Sequence, residues 1–347
     1  PDYIPEPEGE FANGTFILNE GSVFQENSKL TFISPNGVVT DSAYWKANGT
    51  ELGNASQDLF IANGKIYFIS QNGKSNIGTY DSDGMLIIAD AGTLKKQAAY
   101  NDEVSVLNMP THLAVLNDNN VFIRDNKGVY LFNPSTKEIQ FIEGSEDARK
   151  NRMVVAGGKV FVPTKNKTVL VLEAGKTTVS HTIDMQVSVS SVIKSSDGNI
   201  FVATTASPNK VVKINTYDYS VIKEVEITAG SVGEGYGATP GIAANGDCIY
   251  YNGGGTSIYR LTFSTGVCEL LAKVGNYVEN VGMAYNNIAV NPATGYVYMT
   301  TIKGYGNNFL INNISIFDFS KAEPALKENY ENYTHFPAGT FFTYDFR

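Results

Sequence analysis

The sequence predicts an all-β fold, a seven-bladed β-propeller of four-stranded antiparallel blades. Three observations predict it: a strand motif that recurs seven times, two-residue alternation without any sustained helical period, and a spare C-terminal strand matching a strand missing near the N-terminus. The motif is a polar or Gly turn followed by a β-branched and aromatic strand. It appears as GTFILNEG (14–21), GKIYFIS (64–70), NNVFIRD (119–125), GKVFVPT (158–164), GNIFVAT (198–204), DCIYYNG (247–253) and GYVYMTT (295–301). Equivalent points at Ile17, Tyr67, Phe122, Phe161, Phe201, Tyr250 and Tyr298 are separated by 50, 55, 39, 40, 49 and 48 residues, the spacing of propeller blades.

Each motif strand, taken as strand B of a blade, is followed by a second alternating strand, C. These are KLTFISPNG (29–37), MLIIADAGT (85–93), GVYLFNPST (128–136), TVLVLEAGK (168–176), KVVKINTYD (210–218), SIYRLTFST (257–265) and ISIFDFSK (314–321). An inner strand A precedes strand B in HLAVLND (112–118), RMVVAGG (152–158), SVIKSSD (191–197), GIAANGD (241–247) and NIAVNPA (287–293). Outer strand D falls in the polar end of each unit, for example VVTDSAYW (38–45) and CELLAKV (268–274). The first unit starts at strand B, and GTFFTYDF (339–346) has no unit of its own. Joining the two completes a first blade of three N-terminal strands and one C-terminal strand, which removes an open sheet edge. The expected organisation is an extended tether over 1–10 and one propeller domain over 11–347.

Composition narrows the function. Hydrophobic residues make up 42% and charged residues 18% of 347, which excludes a disordered chain. The longest apolar run is Met85 to Ala89, far short of the ~20 residues of a membrane helix. With 35 acidic against 26 basic residues the net charge is −9, so nucleic acid is not an expected partner. The segment PDYIPEPEG (1–9) is acidic and proline-rich, and an export signal is expected to have preceded it.

In a blade the AB and CD turns share one face, and the BC loops and DA connections share the other. The AB turns and most of the CD turns are tight. The second set includes NEGSVFQEN (19–27), QNGKSNIGTYDSDG (71–84), AGSVGEGYGATP (229–240), GNYVENVG (275–282) and KGYGNNFLINN (303–313). Long loops in a compact domain are uncommon and are usually functional. Their Gly, Asn and Tyr content supplies adaptable hydrogen bonds and rigid contact area, as in antibody loops. Tyr80, Tyr236, Tyr277, Tyr305 and Phe309 are the expected stacking planes, and Asn76, Asn307 and Asn308 the expected amides.

Catalytic chemistry is sparse. His112, His181 and His335 lie in different blades without metal-ligand spacing, and His112 is expected to be a hydrogen-bonded structural residue. Glu20, Glu26, Asp58 and Glu234 are candidate rim carboxylates for a hydrolase or lyase. Asp81-Ser82-Asp83-Gly84 opens like a calcium loop, but its twelfth position is Gly92, so a turn is expected. Cys248 and Cys268 start strands B and D of one blade, about 9 to 10 Å apart across strand C, so both are expected to be unpaired. No cofactor and no metal are expected.

The stretches GTFILNEG (14–21), YWKANGTELGNASQDLFIANGKIYFIS (44–70) and FPAGTFFTYDF (336–346) resemble the secreted seven-bladed propellers of gut Bacteroidetes. These surface-layer or YVTN-like, DUF5074-type proteins include outer-membrane lipoproteins that capture cobalamin for a TonB-dependent transporter. The resemblance implies a lipid-anchored, surface-exposed binding protein without catalysis. It places motif positions at Asn19, Glu20 and Gly21 on the first BC loop, and at Asn48, Gly49, Leu52, Gly53, Asn54, Ser56 and Gln57 on the first DA connection.

The expected function is therefore non-enzymatic binding of a small molecule by a monomer. A corrinoid is the most specific candidate, followed by a glycan or docking on an outer-membrane transporter. The alternatives are a carbohydrate-active hydrolase or lyase, and a structural protein–protein interaction module.

Overall fold

A computed structural model describes residues 8–73, 81–233, 235 and 237–343. The fold is the all-β, seven-bladed propeller that the repeat predicts, each blade an antiparallel sheet. The chain divides into two compact units, Pro1–Ile142 with Thr334–Arg347, and Glu143–Tyr333.

The first unit holds three blades. Blade one contains β1 (Thr15–Asn19), β2 (Lys29–Ile33) and β3 (Val39–Thr40), followed by helix α1 (Ala43–Asn48). Blade two is β4 (Asn54–Ala62), β5 (Lys65–Asn72), β6 (Leu86–Asp90) and β7 (Lys96–Tyr100). Blade three is β8 (His112–Asn117), β9 (Asn120–Arg124), β10 (Val129–Asn133) and β11 (Glu138–Phe141).

The second unit holds four. Its blades are β12 (Val154–Ala156), β13 (Lys159–Pro163), β14 (Thr168–Leu172) and β15 (His181–Asp184), then β16 (Val189–Lys194), β17 (Ile200–Thr204), β18 (Lys210–Ile214) and β19 (Val221–Glu226). Next come β20 (Ile242–Asn245), β21 (Cys248–Tyr251), β22 (Ser257–Thr262) and β23 (Val267–Lys273). The last blade pairs two short inner pieces, β24 (Met283–Ala284) and β25 (Ala289–Val290), with β26 (Val297–Ile302), β27 (Asn312–Asp318) and β28 (Ala325–Glu331).

The final strand, β29 (Pro337–Phe342), returns to the first unit and pairs with β1, Thr15 opposite Phe342 and Ile17 opposite Thr340. The predicted closure of blade one is therefore present, in the strand order β29-β1-β2-β3. All six residues of β29 are buried.

Alternation sets the packing. In the first unit Phe16, Phe32, Tyr44, Phe68 and Phe341 share one apolar cluster, and Tyr67, Val104, Leu113 and Phe132 another. Edge-to-face contacts such as Phe11–Phe32 at 5.1 Å and Tyr100–Phe132 at 5.0 Å lock the rings. Each such side chain contributes about 1.5 to 3 kcal/mol on full burial. In the second unit, Phe201 and Phe263 meet edge to face, and Phe317 and Phe319 stack at 5.5 Å. Outer strands such as β19 and β28 stay largely exposed.

Three local expectations need correction. Residues 38–45 form only a two-residue strand, because Ser42 adopts a left-handed conformation (φ 51°) that ends the strand and opens α1. Residues 54–57 are not a connection but the start of β4, the inner strand of blade two. Their polar sequence, NASQD over 54–58, reads as a loop, although all five are buried. The inner strand of the last blade is also split, since Asn286 takes a positive φ (44°) and its side chain accepts the Ala238 N–H. Cys248 and Cys268 are free thiols flanking β22, as the strand spacing predicts.

Candidate functional site

The most irregular inner strand of the first unit is β4. Asn54 pairs with Asn72 and Ser56 with Ser70, but Asp58 pairs with Ile69, so Gln57 is an extra residue in a β-bulge. Two residues earlier, Ala55 is left-handed (φ 56°). Such backbone costs roughly 1 to 3 kcal/mol and persists only where its surroundings over-determine it. Here they do. A Cβ on Gly53 would meet Ser70 Oγ at 2.4 Å, so only glycine lets the chain enter the strand at this distance. Asn54 Nδ2 then donates to Val23 O (3.2 Å) and Glu26 O (3.3 Å), Ser56 N to Ser28 Oγ (2.7 Å), and the Ser56 and Ser70 hydroxyls meet at 2.5 Å.

These bonds knit the bulge to the blade-one loop over residues 20–28. That loop is fixed in turn by the segment entering β29: Glu20 N donates to Phe336 O (2.7 Å) and Gly21 N to His335 O (2.9 Å). Gly21 holds the bend with φ +75°, where a Cβ would lie 2.5 Å from Asn27 O. Gly21→Ala is expected to cost roughly 2 kcal/mol, read as a lower denaturant midpoint with an unchanged slope. An unchanged midpoint would show that the loop adapts.

The charged groups gather around this loop. Glu26 bonds His335 Nδ1 at 2.7 Å and pairs with Lys29 at 3.1 Å. Burial by itself raises the Glu26 pKa, but the His335 hydrogen bond and charge, together with Lys29, hold it below the ordinary carboxylate value. Glu51 is pushed up, first by burial and further by Glu26, against the pull of Lys29. Gln57 Nε2 reaches Glu20 Oε1 at 3.4 Å.

Two acceptors in this cluster are unsatisfied. Gln57, 8% exposed, and Asn27, 3% exposed, each bury a side-chain carbonyl oxygen without a hydrogen-bond partner among the described residues. A buried orphan acceptor costs about 1 to 3 kcal/mol, so each marks a place where an external donor is expected. Phe24, on the loop that carries Asn27, stands 76% exposed.

The structure thus assembles Asn19, Glu20, Asn54 and Gln57 from distant motif positions. Within the group, Asn19 and Asn54 shape backbone: Asn19 accepts the His335 N–H at 3.0 Å and donates to Thr31 Oγ1 at 3.1 Å. Asn48 lies apart, at the end of α1, where its amide donates to Tyr44 O and Leu94 O and accepts from Lys96 N. In the second unit Asn307 and Asn308 are exposed on a 3-10 turn with buried Phe309, and Tyr305 leads into that turn beside Tyr285. Tyr277 sits on a separate connection. Asn76, Tyr80 and Tyr236, and with them Glu234, lie outside the described residues.

Asp58 is not a rim carboxylate. It is buried in β4 and accepts the Leu113 N–H at 3.1 Å. His112 is buried and shares a hydrogen bond with Thr111 Oγ1 at 2.8 Å, the structural role expected of it. The turn expected over Asp81–Gly84 is instead an extended stretch in which Ser82 bridges Glu51, and the Asp83 carboxylate accepts from Tyr44, Thr50 and Lys96. Sequence reasoning missed Ser28, which bonds the start of β4, and Asn27 and Lys29 on the same stretch, since only the folded path of the loop gives them their partners.

A propeller with a bulged inner strand and a polar loop cluster at its end defines the class of this protein. The chain belongs to the family described as Domain of unknown function (DUF5074), whose signature runs over residues 13–343. No curated protein matches the chain. Among solved structures it resembles a quinonprotein alcohol dehydrogenase-like protein from Bacteroides thetaiotaomicron at 16% identity and TM-score 0.66, covering 96% of this chain and 79% of that one. It also resembles the computationally designed Ika8 protein, at 10% identity and TM-score 0.53, over 96% of this chain and 92% of that one. Dihydro-heme d1 dehydrogenase NirN, solved in complex with DHE, is similar at 11% identity and TM-score 0.53, over 99% of this chain and 78% of that one. At these identities the likeness concerns the fold alone.

Proposed function

We propose that the protein is a surface-exposed binding protein without catalysis of its own, taking a small ligand at the bulge of β4 in the first unit. The observation that carries this reading is the buried, unpartnered Gln57 oxygen on a strained inner strand, with Glu20 beside it. Strain and an unmet acceptor both cost stability, and proteins retain such features where function uses them.

The chemistry calls for a ligand rich in hydrogen-bond donors. Gln57 and Asn27 offer carbonyl oxygens, Glu20 and Glu26 offer carboxylates, and exposed Phe24 offers an apolar plane at the rim. A corrinoid, with carboxamide arms around an apolar macrocycle, matches that demand and is the ligand the family resemblance implies. Delivery to an outer-membrane transporter belongs to the same reading.

Spectral titration of the full chain with cyanocobalamin tests the ligand, and saturable binding at micromolar concentration or below is expected. Gln57→Leu separates site from scaffold. The exchange removes an unmet buried acceptor at the cost of one long bond to Glu20, so the melting temperature should change little. It should weaken binding about tenfold, or ~1.4 kcal/mol. Absence of binding discards the corrinoid, while a Gln57→Leu variant that is markedly less stable removes the site itself.

A further inference from the structure

The second unit carries a separate groove, independent of the β4 site. It lies between the connection 275–280 and the outer strand β28, encloses about 510 Å³, and is lined by Tyr277, Leu326, Asn329 and Glu331. That volume falls within the ~300 to 1,000 Å³ of small-molecule sites. We propose that this groove binds a neutral hexopyranose unit of a glycan.

Three features argue for a sugar. Tyr277 is 38% exposed, and its ring is held edge-on against buried Phe317 at 5.2 Å and 86°. An aromatic ring fixed in the groove wall and half-exposed suits the C–H face of a pyranose. Asn329 is pre-aligned from behind: its Oδ1 accepts from Ser315 Oγ at 2.8 Å and its Nδ2 donates to Asn313 Oδ1 at 2.8 Å. One amide proton and one lone pair remain for vicinal hydroxyls, and Glu331 adds an acceptor.

The opposite wall is equally fixed. Asn313 Nδ2 donates to Glu279 O at 3.0 Å, and a Cβ on Gly282 would meet Lys303 O at 2.0 Å, so the connection is clamped at both points. A pre-ordered wall spares the entropy of ordering on binding. Charge selects among glycans. Glu279 and Glu331 border the groove and no cation lines it among the described residues, so uronic and sulfated sugars are disfavoured.

Saturation-transfer NMR and calorimetry of the full chain against cellohexaose, mannohexaose, galactohexaose and a sulfated chondroitin hexasaccharide test the proposal. At least one neutral oligosaccharide should bind at millimolar concentration or below, and the sulfated one should not. Tyr277→Phe should retain binding, and Tyr277→Leu should weaken it at least about tenfold while preserving apolar packing on Phe317. Asn329→Ala should weaken it similarly, and Gln57→Leu should leave it unchanged. Binding of none of the neutral probes, preference for the sulfated one, or indifference to Tyr277→Leu would overturn the assignment.

Discussion

A chain ending at Tyr333 should fail to fold cooperatively. The truncation removes β29, six buried residues of which five pair with β1, and which packs against β4 within the first unit. Phe341 lies in the cluster with Phe16 and Phe32, and Phe342 is 1% exposed. Deleting a buried Phe side chain typically costs about 3 to 5 kcal/mol, so these two approach the whole ~5 to 15 kcal/mol stability of a domain. The loss also bares the backbone edge of β1, an invitation to aggregation. Circular dichroism melts and soluble yield read the result. A peptide spanning residues 334–347 added in trans should restore part of the transition. If the shortened chain melts cooperatively within a few degrees of the full one, the closing strand is dispensable and this account of blade one fails.

Asp83→Ala should be the most damaging single change among the polar residues of the first unit. Its side chain is 7% exposed and accepts from Tyr44 OH at 2.6 Å, Thr50 Oγ1 at 2.5 Å and Lys96 Nζ at 2.6 Å. Through these it ties α1 and the connection into β4 to β7. Hydrogen bonds to a charged group contribute about 1.5 to 3 kcal/mol, and losing the shared acceptor strands Tyr44, which is 1% exposed, so about 3 kcal/mol is expected. Tyr44→Phe, which removes one donor, should cost about 1 kcal/mol.

The same carboxylate gives a pH signature. Burial raises its pKa, but the bonds from Lys96, Thr50 and Tyr44 overcome that and hold it below the ordinary value. A depressed folded-state pKa means that the unfolded chain binds the proton first, so stability rises with pH across this range. Asp83 therefore contributes fully above its unfolded value near ~4 and loses its contribution as pH falls through the folded one. Denaturation of the parent and Asp83→Ala at neutral pH and near pH ~3 should show the gap narrowing in acid. A gap of constant size would mean that the carboxylate charge is not what holds this corner.

Much of the fold is legible because blade strands alternate with period two and turns announce themselves with Gly, Asn and Pro. β5, β9, β13 and β17 fall inside the predicted windows to within a few residues. The loop motif Asn19-Glu20-Gly21 is also visible, since a glycine between polar residues marks a bend. The site is harder to see. NASQD in β4 looks like a loop because nothing in a local pattern says that five polar or small residues will be buried together. His335 looks isolated because its partner, Glu26, lies 309 positions earlier in the chain.

The sequence by itself determined the blade number, the strand order and the pairing of the last strand with the first, because those follow from hydrophobic alternation and the need to pair every edge. Tertiary structure alone decided that Gln57 sits on a bulge beside Glu20, that its amide oxygen goes unmet, and that Glu26 meets Lys29 and His335 on the adjoining loop. Such features depend on one-residue register shifts and close approaches between distant segments, which alternation leaves unspecified.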